Sequence, residues 1–255
     1  MATKKKAEGP SVIEIQEVKK GYLNIHVVGT SPIILNRMSE KVRQELLLPK
    51  GRKTTAEKQA NAKHNPVEEY QASPYRVANE EAPTYLGFMP SAFKGAMRVA
   101  ALDLPGSSKA QIGRLIYVEG DLISLYGIPK LFMSITRSAD INKTPDVRTR
   151  AIVPKWAAVL TVSYVTPIMK PQAVINLLAA GGITSGVGDW RPEKGKGDYG
   201  QFRIANDGDP ELKAIMAEGG RQAQIEAMNM PEPYDLESQE LLSWYDEEAT
   251  KRGFK

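Results

Sequence analysis

The sequence predicts an α+β protein with an antiparallel sheet. Three observations lead to this fold class: an alternating strand near the N-terminus, an amphipathic helix after it, and a strand-rich second half with one more helix before its last strand. With 255 residues, of which 42% are hydrophobic and 25% charged, the chain is long enough to bury a large core and has the size of one elaborated domain.

The first predicted strand covers residues 22–28, where Leu23, Ile25 and Val27 alternate with polar or aromatic neighbours and therefore share one face. Residues 39–48 follow as a candidate helix. Residues 84–89 then form a short strand that leads into a proline.

The clearest helix begins after Pro90, with Ser91 as its predicted N-cap. Lys94 and Arg98 are four residues apart, so they are neighbours on its surface. A cationic pair near the unpaired N–H groups of a helix start suits an anion, and a solvated polar stripe explains it equally well. The apolar residues recur with the spacing of one buried face, namely Phe93, Ala96, Met97, Ala100, Ala101 and Leu104.

The second half of the chain is predicted to be rich in strands. An apolar helix at residues 171–180 follows them and is predicted to end at Gly181 and Gly182. This order of elements is a split βαβ arrangement, which predicts a ferredoxin-like or modified RNA-recognition fold with long insertions and a helical, acidic C-terminal tail. The predicted strands are residues 122–126, 130–136, 147–154 and 157–166, and the predicted tail helices are residues 209–228 and 236–251.

Charge is distributed unevenly along the chain. Residues 205–255 carry five Lys and Arg against twelve Asp and Glu, whereas residues 1–204 carry 29 against 18. We therefore expect a basic domain at residues 1–204 and an acidic extension that packs on it or on a neighbouring subunit. A basic body suits a polyanionic partner, although charge that only keeps the protein soluble explains the count as well.

Two segments supply further candidate contacts to phosphates and bases. The basic insertion at about 50–80 begins with KGRKTTAEKQANAK, which has no hydrophobic period and contributes Lys50, Arg52 and Lys53. Residues 181–200 hold seven glycines, which let backbone N–H groups approach a ligand closely; a long flexible connection is the alternative. Interleaved with them are rings for base stacking and cations for phosphate: Trp190, Tyr199, Arg191, Lys194 and Lys196.

Composition argues against several classes of enzyme. The chain has no cysteine, and its two histidines, His26 and His64, lie thirty-eight residues apart, which disfavours a metal site or a histidine-based triad. No segment approaches the ~18 apolar residues of a membrane span, and no apolar stretch follows the basic N-terminus. We therefore expect a cytoplasmic, non-catalytic protein with no cofactor, no metal and no membrane partner.

Three motifs in sequence order resemble the RAMP superfamily, the backbone subunits of CRISPR effector complexes and their relatives. They are a strand followed by SPIILNR, the segment GFMPSAFKGAMRVAAL with its K-G-x-x-R helix, and a glycine-rich loop before the last strand, and together they span residues 20–204. The resemblance implies a modified RNA-recognition fold whose copies stack head to tail along a guide RNA, as in antiviral defence complexes. It also implies that the insertion at 50–80 is the variable finger or thumb.

The resemblance assigns roles to individual residues. Members that cut target RNA use an aspartate after the first helix; because the first aspartate of this chain is Asp103, the resemblance implies a copy that does not cleave. The chain is short for type I and type IV subunits, which suits a phage or mobile-element relative. It implies that phosphates are contacted by Ser91, Lys94 and Arg98. The path of the bound nucleic-acid strand would be flanked by Asn36 and Arg37, and the loop that closes over this strand would contain Arg191, Lys194 and Lys196.

The sequence therefore favours a non-catalytic binder of single-stranded RNA, or of single-stranded DNA, that forms a homo-oligomeric filament, alone or with other effector subunits. One alternative is a structural or assembly protein of a phage, in which the basic loops and the acidic tail join neighbouring copies. The other is an enzyme that binds a phosphate-bearing ligand through the glycine-rich loop. Whether a guide takes part and how many subunits assemble stay open.

Overall fold

The computed structural model describes residues 15–37, 47, 64–137, 145–195 and 197–253. Within these ranges the chain is α+β and every pair of strands is antiparallel, which confirms the predicted fold class. The ten strands are β1 (Lys19–Gly29), β2 (Ile33–Ile34), β3 (Tyr75–Arg76), β4 (Leu86–Phe88), β5 (Ile116–Val118), β6 (Ile123–Tyr126), β7 (Lys130–Arg137), β8 (Pro145–Val153), β9 (Ala157–Thr166) and β10 (Phe202–Ala205).

Seven α-helices accompany these strands in the described part of the chain. A single 3₁₀ turn, Pro192–Lys194, lies in the glycine-rich segment. The helices are α1 (Pro66–Ala72), α2 (Pro90–Ala100), α3 (Lys109–Leu115), α4 (Pro171–Thr184), α5 (Pro210–Glu218), α6 (Arg221–Asn229) and α7 (Leu236–Lys251). None of them is long and apolar enough to cross a membrane.

The larger sheet has the strand order β10-β1-β9-β6-β4-β3, and β5 also pairs with β9. Because β1 and β5 are both antiparallel to β9, they run in the same direction with one strand between them. The connection between them contains α2 and α3, after β2, α1, β3 and β4. In the same way β9 and β10 flank β1, and α4 connects them. Two interleaved βαβ units thus form the centre of the molecule.

The core lies between the larger sheet, the paired helices α2 and α4, and the smaller sheet β2-β8-β7. On β1 the predicted alternation is confirmed: Ile25 and Val27 are buried and Leu23 packs against them. Helix α1 lies on β8 and α7 on β7, so helices cover the smaller sheet. The predicted helix at 39–48 lies outside the described residues, apart from residue 47.

The predicted cap of α2 is wrong. The helix begins at Pro90, its N-cap is Met89, and no side chain caps it, so Ser91 lies in the first turn. A proline at the first helical position explains this start, since its fixed φ suits the helix and its missing N–H needs no partner. At the other end Ala101 is the C-cap, so Leu104 lies beyond the helix and is 37% exposed, while the other predicted core residues of this face are buried.

Gly181 and Gly182 do not end α4, contrary to prediction, because the helix continues to Thr184. A Cβ on Gly181 would lie 2.9 Å from the carbonyl carbon of Ala96 in α2. A Cβ on Gly182 would lie 2.2 Å from the carbonyl oxygen of Phe202 in β10. The pair therefore lets α4 approach α2 and β10 closely, so packing rather than helix termination requires glycine here.

We expect Gly182→Ala to lower the free energy of unfolding by about 1–3 kcal/mol, because the added methyl overpacks the contact with β10. Gly95→Ala in α2 is the matched control, since nothing lies within 4 Å of its Cβ position. That control is expected to stabilise the protein by about 0.5–1 kcal/mol through its better helix propensity. Urea denaturation of both variants measures the difference; equal stability of the two would contradict the packing argument.

The acidic C-terminal region is joined to the body by buried polar side chains. Residues 209–228, predicted as one helix, form α5 and α6 with a break at Gly219 and Gly220. Gln224 of α6 and Ser238 of α7 are both fully buried. Ser238 accepts a hydrogen bond from the N–H of Met133 in β7 at 2.9 Å. The C-terminal helices therefore cover strands of both sheets, since Gln224 bonds to strands of the larger one.

Candidate nucleic-acid interface

A groove of about 230 Å³ separates α2 from the glycine-rich segment. It brings together Ser91, Arg98 and Arg191, which the sequence placed on two distant segments, and it adds Lys109 from the start of α3. Glu193 is the acidic residue of the lining. We call this the cationic groove. Its three cations against one carboxylate favour an anionic ligand.

Arg98 is the most informative residue of the cationic groove. Its Nε is buried and has no hydrogen-bond partner among the described residues. Gly113 makes room for the guanidinium, because a Cβ there would lie 3.1 Å from this Nε. A buried donor without an acceptor costs about 1–3 kcal/mol, and no contact among the described residues offsets that cost for Arg98.

Arg191 is held in place by its own segment. Its Nη1 donates to the carbonyl oxygen of Gly188 at 2.9 Å, and its Nε donates to Glu193 at 2.8 Å. The second ion-pair contact, from Nη2 to Glu193, is 2.7 Å. Arg191 therefore reaches the groove as a fixed cation whose charge is partly compensated, whereas Arg98 forms no salt bridge with the residues that the structure describes.

Lys94 does not line the groove, although the sequence grouped it with Ser91 and Arg98. Its Nζ lies 4.2 Å from the ring centroid of Tyr117 in β5, in a cation–π contact. Burial, and then the charge of Arg98, lower the pKa of Lys94. The four-residue spacing predicted that the two cations are neighbours, but it did not determine which of them faces the groove.

A second depression, of about 240 Å³, adjoins the groove and shares Ala92, Gly188 and Arg191 with it. Asn36 lies in it, and its Nδ2 donates to Asp189 at 3.2 Å while its Oδ1 accepts from Arg150 at 2.7 Å. Arg150 also pairs with Asp189 at 3.1 Å. Burial lowers the pKa of Arg150, and the charge of Asp189 opposes that effect. The sequence did not predict three residues of these two sites, because no motif marks them: Asp189, Arg150 and Lys109.

Arg37, the neighbour of Asn36, lies over the ring of Tyr75, with 5.8 Å between the guanidinium carbon and the ring centroid. Tyr75 lines the second depression, so Arg37 backs this wall and is not itself part of the lining. That Asn36 and Arg37 lie beside a bound strand stays a prediction. The structure adds the ring of Tyr75, which contacts Arg37 and lines the same depression as Asn36.

Trp190 and Tyr199, predicted to stack on bases, pack on each other and on the smaller sheet. Their ring centroids are 6.1 Å apart, and that of Trp190 is 5.7 Å from Phe132 in β7. Tyr234 contacts the other side of the cluster through Phe132. The two rings thus hold the glycine-rich segment onto the body, a structural role that glycine-rich composition could not reveal.

Two glycines of this segment have positive φ angles and lie in close contact with neighbouring backbone. Gly188 has a φ of +90°, and a Cβ there would lie 2.8 Å from the carbonyl oxygen of Ile34. Gly200 has a φ of +73°, and its N–H donates to the carbonyl oxygen of Pro32 at 2.8 Å. Both glycines therefore dock the segment against β2, and the N–H of Gly200 is already paired within the protein.

The remaining predicted contacts fall elsewhere. Lys194 is exposed at the end of the 3₁₀ turn and does not line the groove. Lys50, Arg52, Lys53 and Lys196 lie outside the described residues. His26 and His64 bind carboxylates, His26 with Asp207 at 2.9 Å and His64 with Glu69 at 2.7 Å and Asp146 at 3.2 Å.

Chemically, the arrangement offers an anion-binding groove beside a mixed polar and aromatic depression. In the part of the chain that the structure describes, no group of histidine and carboxylate side chains is placed to hold a metal ion. No protein-family model and no curated protein matches this sequence.

Proposed function

We propose that this protein binds single-stranded nucleic acid, RNA in the first place, by laying the sugar-phosphate backbone in the cationic groove. The observation that carries the proposal is the convergence of Arg98, Lys109 and Arg191 with Ser91 on one groove, in whose wall the guanidinium Nε of Arg98 has no hydrogen-bond partner among the described residues. Hydroxyl, ammonium and guanidinium groups are the side-chain donors that proteins use to hold phosphate oxygens.

The fold supports this proposal. Two interleaved βαβ units, β1 to β5 and β9 to β10, support the split βαβ arrangement that we propose, as in ferredoxin-like and RNA-recognition-like folds. The cationic groove lies where the first crossover helix meets the segment before the last strand, which is the place that the resemblance to the RAMP superfamily assigns to phosphate contacts.

Charge supports head-to-tail assembly as part of the proposal. Residues 205–255 have an excess of seven acidic residues over basic ones, and residues 1–204 an excess of eleven basic ones. The helices α5, α6 and α7 of one copy can therefore attract the basic body of the next copy. Repetition of such a heterologous contact produces a filament in which neighbouring grooves extend one track along the strand.

The groove suits binding without cleavage. Of the residues that line it, Ser91 is a potential nucleophile, but it has no histidine or cysteine beside it. Glu193 is engaged by Arg191, and both histidines of the chain contact carboxylates away from the groove. These contacts favour a gripping role and support neither a general base nor an activated hydroxyl in the described lining.

Fluorescence anisotropy with labelled single-stranded RNA at increasing salt tests the proposal. We expect each of the three groove cations to contact one phosphate and to release its counterion. At about 0.7 per phosphate contact, the groove alone then gives a slope of log K against log salt of roughly −2. Double-stranded RNA of the same sequence is the control and is expected to bind more weakly. Binding that does not change with salt, or no retention of any oligonucleotide, would favour the assembly-protein alternative.

A further inference from the structure

Helix α7 turns an apolar and acidic face away from the body. Leu236 and Trp244 are 69% and 62% exposed, and Glu240 lies between them and is also exposed. Because an α-helix has 3.6 residues per turn, residues that are four apart lie in one row along its surface. The exposed Glu237 and Glu247, three residues before Glu240 and three after Trp244, flank this row. We call these five residues the outer face of α7.

The opposite side of α7 holds the helix on its own body. Ser238 and Ala249 are buried there, and Leu241 and Leu242 pack against the core. The helix is therefore docked without the outer face, which leaves the indole ring of Trp244 in contact with solvent. Tryptophan is enriched among the few residues that dominate the affinity of protein interfaces. The outer face thus has the composition of an interaction surface, with an apolar centre and a charged rim.

The charge of the outer face is not compensated within the protein. None of its three glutamates forms a salt bridge with the residues that the structure describes, whereas Glu248 of the same helix pairs with Lys251 at 3.2 Å and with Arg252 at 3.1 Å. Two outer faces cannot pair with each other, because six carboxylates would then meet and repel. The surface that complements the outer face is therefore a different one, and it is basic.

The larger sheet displays a surface of this kind. Tyr22 of β1 and Tyr117 of β5 both lie opposite Ser163 of β9, whose two chain neighbours belong to the core. Both tyrosines therefore face away from the core, and they are 61% and 41% exposed. The Nζ atoms of Lys94 and Lys20 lie 4.2 Å and 5.6 Å from the centroid of the Tyr117 ring. We call these two tyrosines and two lysines the tyrosine patch.

The tyrosine patch suits an acidic protein surface better than a nucleic-acid strand. Neither of its lysines forms a salt bridge with the described residues, so both charges are available to a partner. Because both ammonium groups already contact the Tyr117 ring, this ring is not open for base stacking. Glu119, which accepts a hydrogen bond from Ser163, places a carboxylate on the same side of the sheet, where it repels phosphates. Glutamates can instead pair with the lysines, and an indole can pack on Tyr22.

We propose that the outer face of α7 in one copy docks on the tyrosine patch of the next copy. This inference rests on the head-to-tail assembly within the proposed function and names the two surfaces that make the contact. The contact is heterologous, since each copy uses its outer face towards one neighbour and its tyrosine patch towards the other. Lys94 and Arg98 are four residues apart on α2, so the next copy docks beside the cationic groove. Assembly and strand binding then strengthen each other.

Analytical ultracentrifugation of the full-length protein at low salt, with and without single-stranded RNA, tests the inference. Trp244→Ala is expected to raise the dissociation constant for self-association about 30-fold or more, the loss that defines an interface hot spot. Leu102→Ala is the matched control, since Leu102 is also 62% exposed but belongs to neither surface, and its effect should stay below about 3-fold. A wild-type protein that stays monomeric with and without RNA, or equal effects of the two changes, would overturn the inference.

A variant with both Lys20→Glu and Tyr22→Ala removes the tyrosine patch and should also fail to self-associate. Mixed in equal amounts with Trp244→Ala, it is expected to form a one-to-one dimer and nothing larger, because one intact outer face then meets one intact patch. Circular dichroism shows that both variants fold. A mixture that stays monomeric would overturn the contact, as would a patch variant that assembles normally and binds short RNA less tightly. A wild-type protein that assembles but binds no strand would instead overturn the proposed function.

Discussion

Gln224→Ala is expected to lower the free energy of unfolding by about 3–5 kcal/mol, because the change leaves several buried backbone groups without partners. Gln224 is fully buried, and its Oε1 accepts from the N–H groups of Tyr85 at 2.8 Å and Leu86 at 2.9 Å. Its Nε2 donates to the carbonyl oxygens of Leu125 at 2.7 Å and of Gly127 and Gly219 at 3.0 Å each. One amide thus joins α6 to β4, to β6 and to the turn after α5.

Gln222→Ala provides the matched control for this prediction. Gln222 lies in the same helix and is exposed, and its side chain donates to Glu226 at 2.9 Å. Its replacement is expected to change the free energy of unfolding by no more than about 0.5 kcal/mol. Urea denaturation followed by circular dichroism compares the two variants. A Gln224→Ala protein as stable as its control would mean that α6 is dispensable for the sheet.

Arg98→Gln is expected to weaken binding of single-stranded RNA by roughly 10- to 150-fold, the range for losing one charge-assisted hydrogen bond. The slope of log K against log salt should also become shallower by about 0.7, because one phosphate contact disappears. The unbound variant is expected to keep the thermal midpoint of the wild type, since glutamine places its amide at the level of the arginine Nε and exchanges one polar group for another there.

Arg114→Gln is the control for this second prediction. Arg114 is an exposed arginine of α3 that does not line the groove, so the variant carries the same change of net charge. Its affinity should fall less than about 3-fold, through the general field of the protein alone. An equal loss for both variants, with the same salt slope, would show that net charge and not the groove holds the strand.

The sequence predicted those elements that have a strong period of their own. The strand predicted at residues 157–166 has the observed bounds of β9, and the strand predicted at residues 22–28 is the central part of β1, which extends further at both ends. Helix α1 was missed, because seven residues are too few to show a helical period. Its buried Tyr70 bonds to the carbonyl oxygen of Ala227, a contact across 157 residues that no local pattern encodes.

The sequence predicted which segments form the candidate site, but it did not predict which side chains of those segments line it. The segments with Ser91, Arg98 and Arg191 do meet, but Lys94 faces Tyr117, and Trp190 joins an aromatic cluster. The spacing of residues on a helix gives their neighbours, whereas the direction that each side chain takes depends on the elements packed around it. The bond of Asn36 to Arg150, 114 residues away, likewise exists only once β2 has paired with β8.

The pairing of β1 with β9 has a consequence for the chain while it is being made. Residues Lys19–Gly29 must wait for Ala157–Thr166 before they gain their central partner, and the walls of the groove come from segments almost a hundred residues apart. The groove therefore cannot form on a nascent polypeptide until Glu193 has emerged from the ribosome, since such distant contacts form late. Under the proposed function, a translation product that ends before this residue would lack one wall of the groove and would not bind a strand.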